Sequence, residues 1–521
     1  MKKLNDVIWI KNIYGDVISN NENIETVKNL LDDTGRGFCL AKFTQVTMHL
    51  GTGMTHACHH PSPHKIPLEE IKNNPAALFN TSRLKQARRE MLEGERPGEC
   101  DYCWRVEDNN GISDRFYKSV EPWALAHHDR IQESDPDSDF YPTYLEVDFS
   151  NVCNFACTYC GPEYSSKWVE NLKQHGPIKL LENTKHVQWA QGWQKDLDSL
   201  SYKNSEFNPY VDAFWKWLPE AYKHLKVYRI TGGEPLLSKE TFRSIEWFFD
   251  NPNPELEFNI NSNLGVPQKL WDAFIEKITK LVRGNYVKKF TVFTSVDGWG
   301  KRAEYARPGL DFEMFKQRYE QLLQIGDVRA VIMCTFNIFS ITSITQLFEW
   351  VDELKRKYNP DRTLIEMEKN SGFDLGGGNP HYKRLEKCVS HHGTVGIDVP
   401  YLRSPSFLDA QFITKDLIQD YLIPAMNFMG SKISNDIWGI HQGFEPWEAE
   451  KFKRIVQQII NFNTNQESAE STMVHRARFY DFVNDIDNRH SVNFLETFPE
   501  MNKFYLECKQ AKDAIVEVST T

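Results

Sequence analysis

Residues 151–164 read NVCNFACTYCGPEY and hold three of the ten cysteines of this 521-residue chain. Cys153, Cys157 and Cys160 form a CxxxCxxC loop, which suits a metal cluster better than a disulfide arrangement. A cubane iron–sulfur cluster held by three thiolates keeps one iron open for a ligand that the protein does not supply. A fragment of a zinc site is the alternative, but structural zinc takes four ligands and no fourth ligand stands nearby in the sequence.

Around this loop, short β-prone runs alternate with segments of helical spacing from residue 142 onward. The runs are TYLEVDFS (143–150), KVYRITGG (226–233), LEFNINSN (256–263), KFTVFTSVDG (289–298), VRAVIMCTF (328–336) and TLIEMEK (363–369). Apolar residues at helical spacing lie between them: Leu270, Phe274, Ile278 and Leu281; Phe312, Phe315, Tyr319 and Leu322; Ile341, Ile344, Leu347, Phe348, Val351 and Leu354. This alternation predicts the α/β class, with a parallel sheet in a partial barrel or an open doubly wound arrangement. Chemistry in such sheets gathers at the carboxyl ends of the strands, where the cysteine loop falls.

The sequence predicts four regions along the chain. We expect an N-terminal domain over 1–125, a linker over 126–141 marked by the acidic run QESDPDSDFYP, the α/β region over 142–370, and a mixed C-terminal extension over 371–521. In the first region, TSRLKQARREMLEG (81–94) predicts a helix with Thr81 or Ser82 as its N-cap and Gly94 just past its end.

Composition is that of a soluble globular protein of enzyme size. The chain has a mass of 60.8 kDa, 40% apolar and 26% charged residues, and no apolar run near the roughly 20 residues of a membrane span. The start, MKKLNDVIWIKNIYG, lacks the apolar stretch of a signal peptide, and ten cysteines without export signals predict a reducing cytoplasm. A formal charge of −11 counts against a nucleic-acid partner bound through its phosphates.

Several motifs, beginning with the CxxxCxxC loop, resemble the radical S-adenosylmethionine (SAM) superfamily. Tyr159 stands just before the third cysteine, and Gly232, Gly233, Glu234 and Pro235 follow the second β-prone run. The resemblance covers 142–369 and implies a partial (β/α)6 barrel in which SAM chelates the open iron of a 4Fe-4S cluster. It also implies that Tyr159 packs on the adenine and that the GGEP turn receives the SAM ammonium, where glycines let the main chain approach the ligand.

Polar residues at later strand ends match weaker parts of the family pattern. By the resemblance, Asn261, Ser262 and Asn263 bond the ribose hydroxyls. Ser295 and Arg307 would hold the SAM carboxylate, for which an arginine fork is suited. Asn261 and Asn263 could instead simply end the strand.

Five other residues have competing interpretations. Asp297 and Glu368 are candidate proton acceptors, with strand-end hydrogen bonds as the alternative for both. Cys334 and Cys508 are interpreted as buried core thiols. Cys388, before VSHHG, is interpreted as structural, with roles as an acid, a hydrogen donor or a ligand as alternatives.

Four cysteines that precede the α/β region form a second pattern. Cys39, then Cys58 in a GxxxxC spacing, then Cys100 and Cys103 in a CxxC, resemble the SPASM and twitch modules that carry auxiliary iron–sulfur clusters in radical SAM enzymes. The number of cysteines matches the single-cluster twitch form, although here the module is N-terminal to the barrel. The alternative is a zinc site made of all four cysteines, or one that uses a histidine of HACHHPSPH (56–64).

The resemblance implies an oxidoreductase-like enzyme that cleaves SAM reductively to a 5′-deoxyadenosyl radical and abstracts a hydrogen atom from a substrate. An electron donor such as flavodoxin or ferredoxin and an auxiliary 4Fe-4S cluster would complete a net oxidation. We expect a small-molecule substrate such as a sugar, cyclitol or nucleotide, because the segment before Cys39 is short for a leader-peptide-binding domain. A peptide or protein side chain is the alternative, and a non-catalytic or zinc-binding descendant of the fold is the third hypothesis.

Overall fold

The computed structural model describes residues 10–11, 17–18, 21–181, 189–190, 195–203, 205–359, 394–433, 443–464 and 469–520. The predicted run TLIEMEK, which contains Glu368, lies outside the described residues, and so does Cys388.

Eleven strands occur in the described residues. They are β1 (Ile10–Lys11), β2 (Val17–Ile18), β3 (Gln45–His49), β4 (Met54–His56), β5 (His64–Lys65), β6 (Tyr144–Asp148), β7 (Val227–Thr231), β8 (Asn253–Ser262), β9 (Val287–Ser295), β10 (Val328–Met333) and β11 (Thr394–Asp398). β1 pairs with β2, and the other nine strands form one sheet in the order β11-β10-β9-β8-β7-β6-β3-β4-β5.

This sheet is largely parallel, which confirms the α/β class. β6 pairs in parallel with β3 on one side and with β7 on the other, so that His49, Asp148 and Thr231 form one row at the carboxyl ends. β8 continues the parallel pairing beside β7, whereas β3, β4 and β5 pair antiparallel. The cysteine loop and the GGEP turn therefore each begin at the carboxyl end of one of two neighbouring parallel strands. The partial barrel stays a prediction.

The strands that lead to these motifs alternate between an apolar and a polar face. Leu145 and Val147 of β6 are fully buried, whereas Glu146 and Asp148 point to the other face. Arg229 of β7 lies in register with Glu146 and continues the polar row. Glu146, Asp148 and Arg229 are charged side chains, and the packing of an apolar core does not require them.

Helices in the described residues connect and cover the strands. They are α1 (Asn21–Thr34), α2 (Ala41–Thr44), α3 (Leu68–Asn73), α4 (Ser82–Leu92), α5 (Asp101–Asp108), α6 (Asp114–Ser119), α7 (Pro122–Leu125), α8 (His128–Gln132), α9 (Ser166–His175), α10 (Pro209–Ala221), α11 (Lys239–Asp250), α12 (Gln268–Arg283), α13 (Gly300–Ala306), α14 (Phe312–Ile325), α15 (Ile344–Tyr358), α16 (Lys415–Leu417), α17 (Ile423–Ser431), α18 (Pro446–Thr464), α19 (Ala469–His490), α20 (Phe494–Thr497) and α21 (Asn502–Thr520). None of them combines the length and the apolar character needed to cross a bilayer.

The predicted helical spacings correspond to α12, α14 and α15, and the apolar positions of α14 are buried. Ile341 differs: it is buried in the 3-10 turn Ile338–Ser343 that precedes α15. Thr81 caps α4 by accepting from the N–H of Leu84 at 3.2 Å, and Gly94 follows the helix with a φ of +83°.

The N-terminal segment contributes more to the sheet than its sequence predicts. β3, β4 and β5 come from the expected domain 1–125 and extend the sheet from β6, and α8 lies inside the expected linker 126–141. The domain boundaries stay a prediction.

By internal contacts the chain divides into two compact units. The first draws on Met1–Ser150, Ser201–Ile260 and Leu281–Phe290, and the second on Asn151–Leu200, Asn261–Lys280 and Thr291–Thr521.

Candidate active site and cysteine pocket

The three-cysteine loop, in the second unit, is held in place by hydrogen bonds to its backbone. The N–H groups of Ala156 and Thr158 donate to the carbonyls of Pro308 and Ala306, each at 3.0 Å. Two indole N–H groups satisfy cysteine carbonyls: Trp168 donates to Cys157 at 2.9 Å and Trp189 to Cys160 at 2.8 Å. The loop is thus held in shape independently of its thiol groups.

A glycine and a serine complete this support. Gly309 has a φ of +110°, and a Cβ there would lie 2.8 Å from the ring of Phe155 and 2.9 Å from the carbonyl of Asn154. Ser166 accepts from the N–H of Cys153 at 3.1 Å. The backbone around the first cysteine is therefore closely packed.

Three residues that were predicted to have separate roles contact each other beside this loop. Arg307 donates Nε and Nη2 to the carboxylate of Asp297 at 2.8 and 2.9 Å, and the hydroxyl of Tyr159 donates to the same carboxylate at 2.8 Å. A fourth donor is the N–H of Thr335 at 2.9 Å. Arg307 Nη1 also lies 3.6 Å from the Sγ of Cys157. Four donors match the roughly four lone pairs that a carboxylate offers.

Burial and charge act on this cluster in opposite directions. Burial alone would lower the pKa of Arg307, but Asp297, Tyr159 and Cys157 together raise that pKa well above its usual value. Burial raises the pKa of the Cys157 thiol, and the guanidinium of Arg307 opposes that rise. Arg307 is therefore a fixed cation next to one of the cysteines. The sequence-assigned roles of Arg307, Asp297 and Tyr159 stay predictions.

The residues predicted for the ribose lie at the end of β8 and just after it. Asn263 donates Nδ2 to the Oδ1 of Asn154 at 2.9 Å and accepts from the N–H of Gly265 at 2.7 Å; its Nδ2 is 4.0 Å from the Sγ of Cys153. Asn263 thus ties the cysteine loop to the chain after β8. Asn261 is a half-buried residue within β8, and Ser295 is the last residue of β9; their ligand roles stay predictions.

The GGEP turn, in the first unit, follows β7. Gly232 has a φ of +116°, and a Cβ there would lie 2.8 Å from the Cγ of Asp148 and closer still to its Oδ1. The N–H of Gly233 donates to the carbonyl of Ser150 at 3.2 Å. The buried Glu234 caps the 3-10 turn Pro235–Leu237, accepting from the N–H of Leu236 at 3.0 Å. Only glycine fits at position 232.

Two histidines and Asp148 form a chain of hydrogen bonds that sequence reasoning missed. His49 Nδ1 lies 3.4 Å from the Oδ2 of Asp148, His49 Nε2 lies 3.1 Å from His56 Nε2, and His56 Nδ1 contacts the carbonyl oxygen of Cys58. The sequence signal was an acidic residue that ends a strand directly before the cysteine loop. The pairing with His49 depends on register between β3 and β6, which no local spacing reveals.

Burial raises the pKa of Asp148, whereas His49 and the backbone N–H of Ser150 oppose that rise. Burial lowers the pKa of His56.

The four N-terminal cysteines line one pocket of the first unit. Cys39, Cys58, Cys100 and Cys103 line it, although they come from separate segments of the chain, and the acidic Asp114 lines it as well. Lys42, Arg115 and Lys118 also line it. Four sulfur donors with nearby cations suit a negatively charged thiolate-bound metal centre.

Cys100 and Cys103 of this pocket are buried, and Cys39 and Cys58 are half-buried. Burial raises the pKa of Cys58 and Cys100 to about 12 and that of Cys103 to about 11, and neighbouring cysteines add to each rise. Burial also raises the pKa of Cys39, against the charges of Arg115 and Lys42. Metal binding removes such protons, because the metal charge compensates the thiolates.

The histidines of HACHHPSPH have different surroundings. His64 Nε2 bonds to the hydroxyl of Thr81 at 2.9 Å. His59 and His60 both bond through Nε2 to the Oδ2 of Asp114, at 3.1 and 2.6 Å, and His60 stacks on Tyr102. The ligand atoms of His59, His60 and Asp114 lie within 4.8 Å of one another.

Two further cysteines within the described residues agree with their interpretation as core thiols. Cys334 and Cys508 are fully buried, and burial raises the pKa of each.

Comparison with known proteins adds one relative. No protein-family model matches the chain. Over 140 residues the chain is 29% identical to a GTP 3′,8-cyclase of Sulfurimonas denitrificans; the aligned part covers 26% of this chain and 33% of the cyclase. The chain thus spans about a third of the length of this curated relative.

Proposed function

We propose that this protein is a radical SAM enzyme that oxidises a substrate by hydrogen-atom abstraction. The observation that carries the proposal is the CxxxCxxC loop, whose backbone is held by hydrogen bonds to the carbonyls of Ala306 and Pro308. The glycine turn after β7 is the second motif of the resemblance. The relative named GTP 3′,8-cyclase supports the same chemistry.

Different residues of the chain would bind the cluster and the parts of SAM. Cys153, Cys157 and Cys160 would hold the 4Fe-4S cluster, and Arg307 would place a positive charge beside the Cys157 ligand. When bound, the cluster and SAM supply a 5′-deoxyadenosyl radical, which takes a hydrogen atom from the substrate. The Gly232–Glu234 turn would receive the SAM ammonium.

Other polar residues would orient the rest of SAM. Tyr159 would pack on the adenine, and Asn261 and Asn263 would bond the ribose. Ser295 and Arg307 would hold the carboxylate. Of the proposed proton acceptors, Asp297 already accepts four hydrogen bonds, which favours a positioning role for its carboxylate.

We infer that Cys39, Cys58, Cys100 and Cys103 hold an auxiliary 4Fe-4S cluster that accepts an electron from the substrate. Their common pocket and its cations support this assignment. Zinc bound by the same four thiolates is the second candidate, because a closed set of sulfur ligands suits either metal centre.

The substrate that we propose is a small molecule such as a sugar, cyclitol or nucleotide, and a peptide side chain is the second candidate. Flavodoxin or ferredoxin would supply the electron, and the cytoplasm would be the compartment.

The test is reductive cleavage of SAM by the anaerobically reconstituted protein. We expect 5′-deoxyadenosine from the unmodified chain and from Cys334→Ser and Cys508→Ser, which change buried thiols outside the loop, and none from Cys153→Ala. Product formation by Cys153→Ala at the unmodified rate would refute the proposal.

Metal analysis tests the auxiliary site. A second cubane cluster predicts about eight irons per chain, and about four after Cys153, Cys157 and Cys160 are replaced together by alanine. Zinc predicts about four irons and one zinc, and no iron after the triple replacement. About four irons with no zinc in the unmodified chain would contradict both assignments.

A further inference from the structure

Asp148 keeps one carboxylate oxygen without a partner although it is deeply buried. Its side chain is 7% exposed, and its Oδ2 faces His49. The backbone N–H of Ser150 acts on the carboxyl group and lowers its pKa, but within the described residues no donor reaches Oδ1 with hydrogen-bond geometry. Buried polar atoms are nearly always hydrogen-bonded in folded proteins, so an exception at a strand end points to a missing ligand.

The position of this oxygen indicates which part of a ligand would contact it. Asp148 Oδ1 lies against Gly232, where a Cβ would overlap with the carboxylate. Gly232 begins the turn that the proposed function assigns to the SAM ammonium. Asp148 Oδ1 therefore lies next to the backbone of Gly232, where no side chain blocks a ligand.

Two neighbouring carboxylates in the same unit have partners of other kinds. Glu146, two residues earlier on the same strand face, lies 3.8 Å from Arg229. Glu234 accepts from the N–H of Leu236 within its own turn. An ammonium group has three N–H donors and takes acceptors from more than one group. Asp148 supplies an acceptor that the GGEP turn alone does not.

We propose that Asp148 binds the ammonium group of SAM together with the Gly232–Glu234 turn, which extends the proposed function to a residue outside the recognised motifs. His49 positions the carboxylate through Oδ2, and His56 holds His49 from its other side. An ammonium group at Oδ1 would donate a charge-assisted hydrogen bond to this carboxylate. A charge-assisted hydrogen bond of this kind is stronger than a neutral one.

Calorimetric titration with SAM of the reconstituted protein tests this role. Asp148→Asn keeps the size of the side chain and removes its charge, and we expect the dissociation constant to rise on the order of 10- to 100-fold with unchanged iron content. Glu146→Gln is the matched control, because it neutralises a carboxylate of the same strand and face that already has a cationic neighbour. We expect it to leave the affinity unchanged.

A second ligand assigns the effect to the ammonium. The probe is a SAM analogue in which the α-amino group is replaced by a hydroxyl group. It should bind more weakly than SAM to the unmodified protein, and Asp148→Asn should weaken it far less than it weakens SAM. Equal losses for the two ligands would overturn the inference.

The remaining outcomes separate the two proposals. Unchanged SAM affinity in Asp148→Asn overturns the role of Asp148 and leaves the proposed function intact. An absence of SAM binding by the unmodified, iron-loaded protein overturns the proposed function and this inference with it. If the asparagine variant does not fold, Asp148→Ser removes the charge without adding bulk and is judged by the same outcomes.

Discussion

Neutralising Asp297 should loosen the second unit around the cysteine loop. The carboxylate is fully buried and accepts from Arg307 twice, from Tyr159 and from Thr335. Asp297→Asn places an amide N–H₂ against some of these donors and leaves the Arg307 guanidinium, 7% exposed, without a counter-charge. Removing one partner of a buried ion pair costs about 3–5 kcal/mol.

Hydrogen exchange measures this loss locally, which matters in a chain with two compact units. In peptides that contain the amides of Thr158 and Thr335, 3–5 kcal/mol corresponds to exchange about 10²- to 4 × 10³-fold faster. Asp487→Asn is the control: Asp487 also accepts from a tyrosine hydroxyl and a backbone N–H, but no arginine pairs with it in the described structure. That change should cost about 1 kcal/mol.

The same experiment separates two roles for Asp297. If the carboxylate served only to accept a substrate proton, neutralising it would not speed hydrogen exchange in the residues around it. Exchange in Asp297→Asn no faster than in Asp487→Asn would therefore refute the positioning role and return Asp297 to the candidate proton acceptors.

Three further changes test other parts of the structure. Cys100→Ala should lower the iron content from about eight to about four while SAM cleavage persists; loss of cleavage with the first cluster intact would contradict an auxiliary role. Lys355→Met should cost about 3–5 kcal/mol in unfolding free energy, because it leaves the fully buried Glu448 without its cation. Replacing the exposed Lys357 by Met should cost less than about 1 kcal/mol. Similar urea midpoints for the two variants would contradict this expectation. Gly232→Ala should destabilise the first unit more than Gly94→Ala. Both glycines have a positive φ, but a Cβ at position 94 meets no atom within 4 Å, whereas one at position 232 overlaps with Asp148. Equal decreases in melting temperature would exclude this overlap.

The sequence predicted the elements whose signals are local. β6 to β10 and helices α12, α14 and α15 follow from hydrophobic spacing, because alternating strands and amphipathic helices each bury one face. β3 was not predicted, although QVTMH alternates polar and apolar residues; four of its five residues are buried, the polar Gln45 and Thr47 among them. β11, which pairs with β10, follows residues outside the described part of the chain, and its five residues gave too short a signal.

Parts of the candidate site that depend on distant pairing could not be predicted. The cysteines were found by their spacing, because metal ligands must come close together. Asp148 and His49 are 99 residues apart, and they meet because their strands pair in parallel with both residues at the last position. A polar residue at a strand end is common, so only the unpartnered oxygen beside Gly232 distinguishes Asp148 from such residues.

The register of β3 connects the two halves of the candidate site in the first unit. His49 ends β3, and the antiparallel β4 returns the chain so that His56 stacks on His49 and Cys58 follows two residues later. A slip of one residue between β3 and β6 would turn His49 to the opposite face and break its bond to Asp148. The position of an auxiliary-cluster cysteine and the orientation of the carboxylate beside the GGEP turn are therefore set by the same hairpin. This explains how a module that precedes the α/β region in the sequence can still contribute to it: the N-terminal segment adds its strands directly beside β6, the strand that leads into the three-cysteine loop.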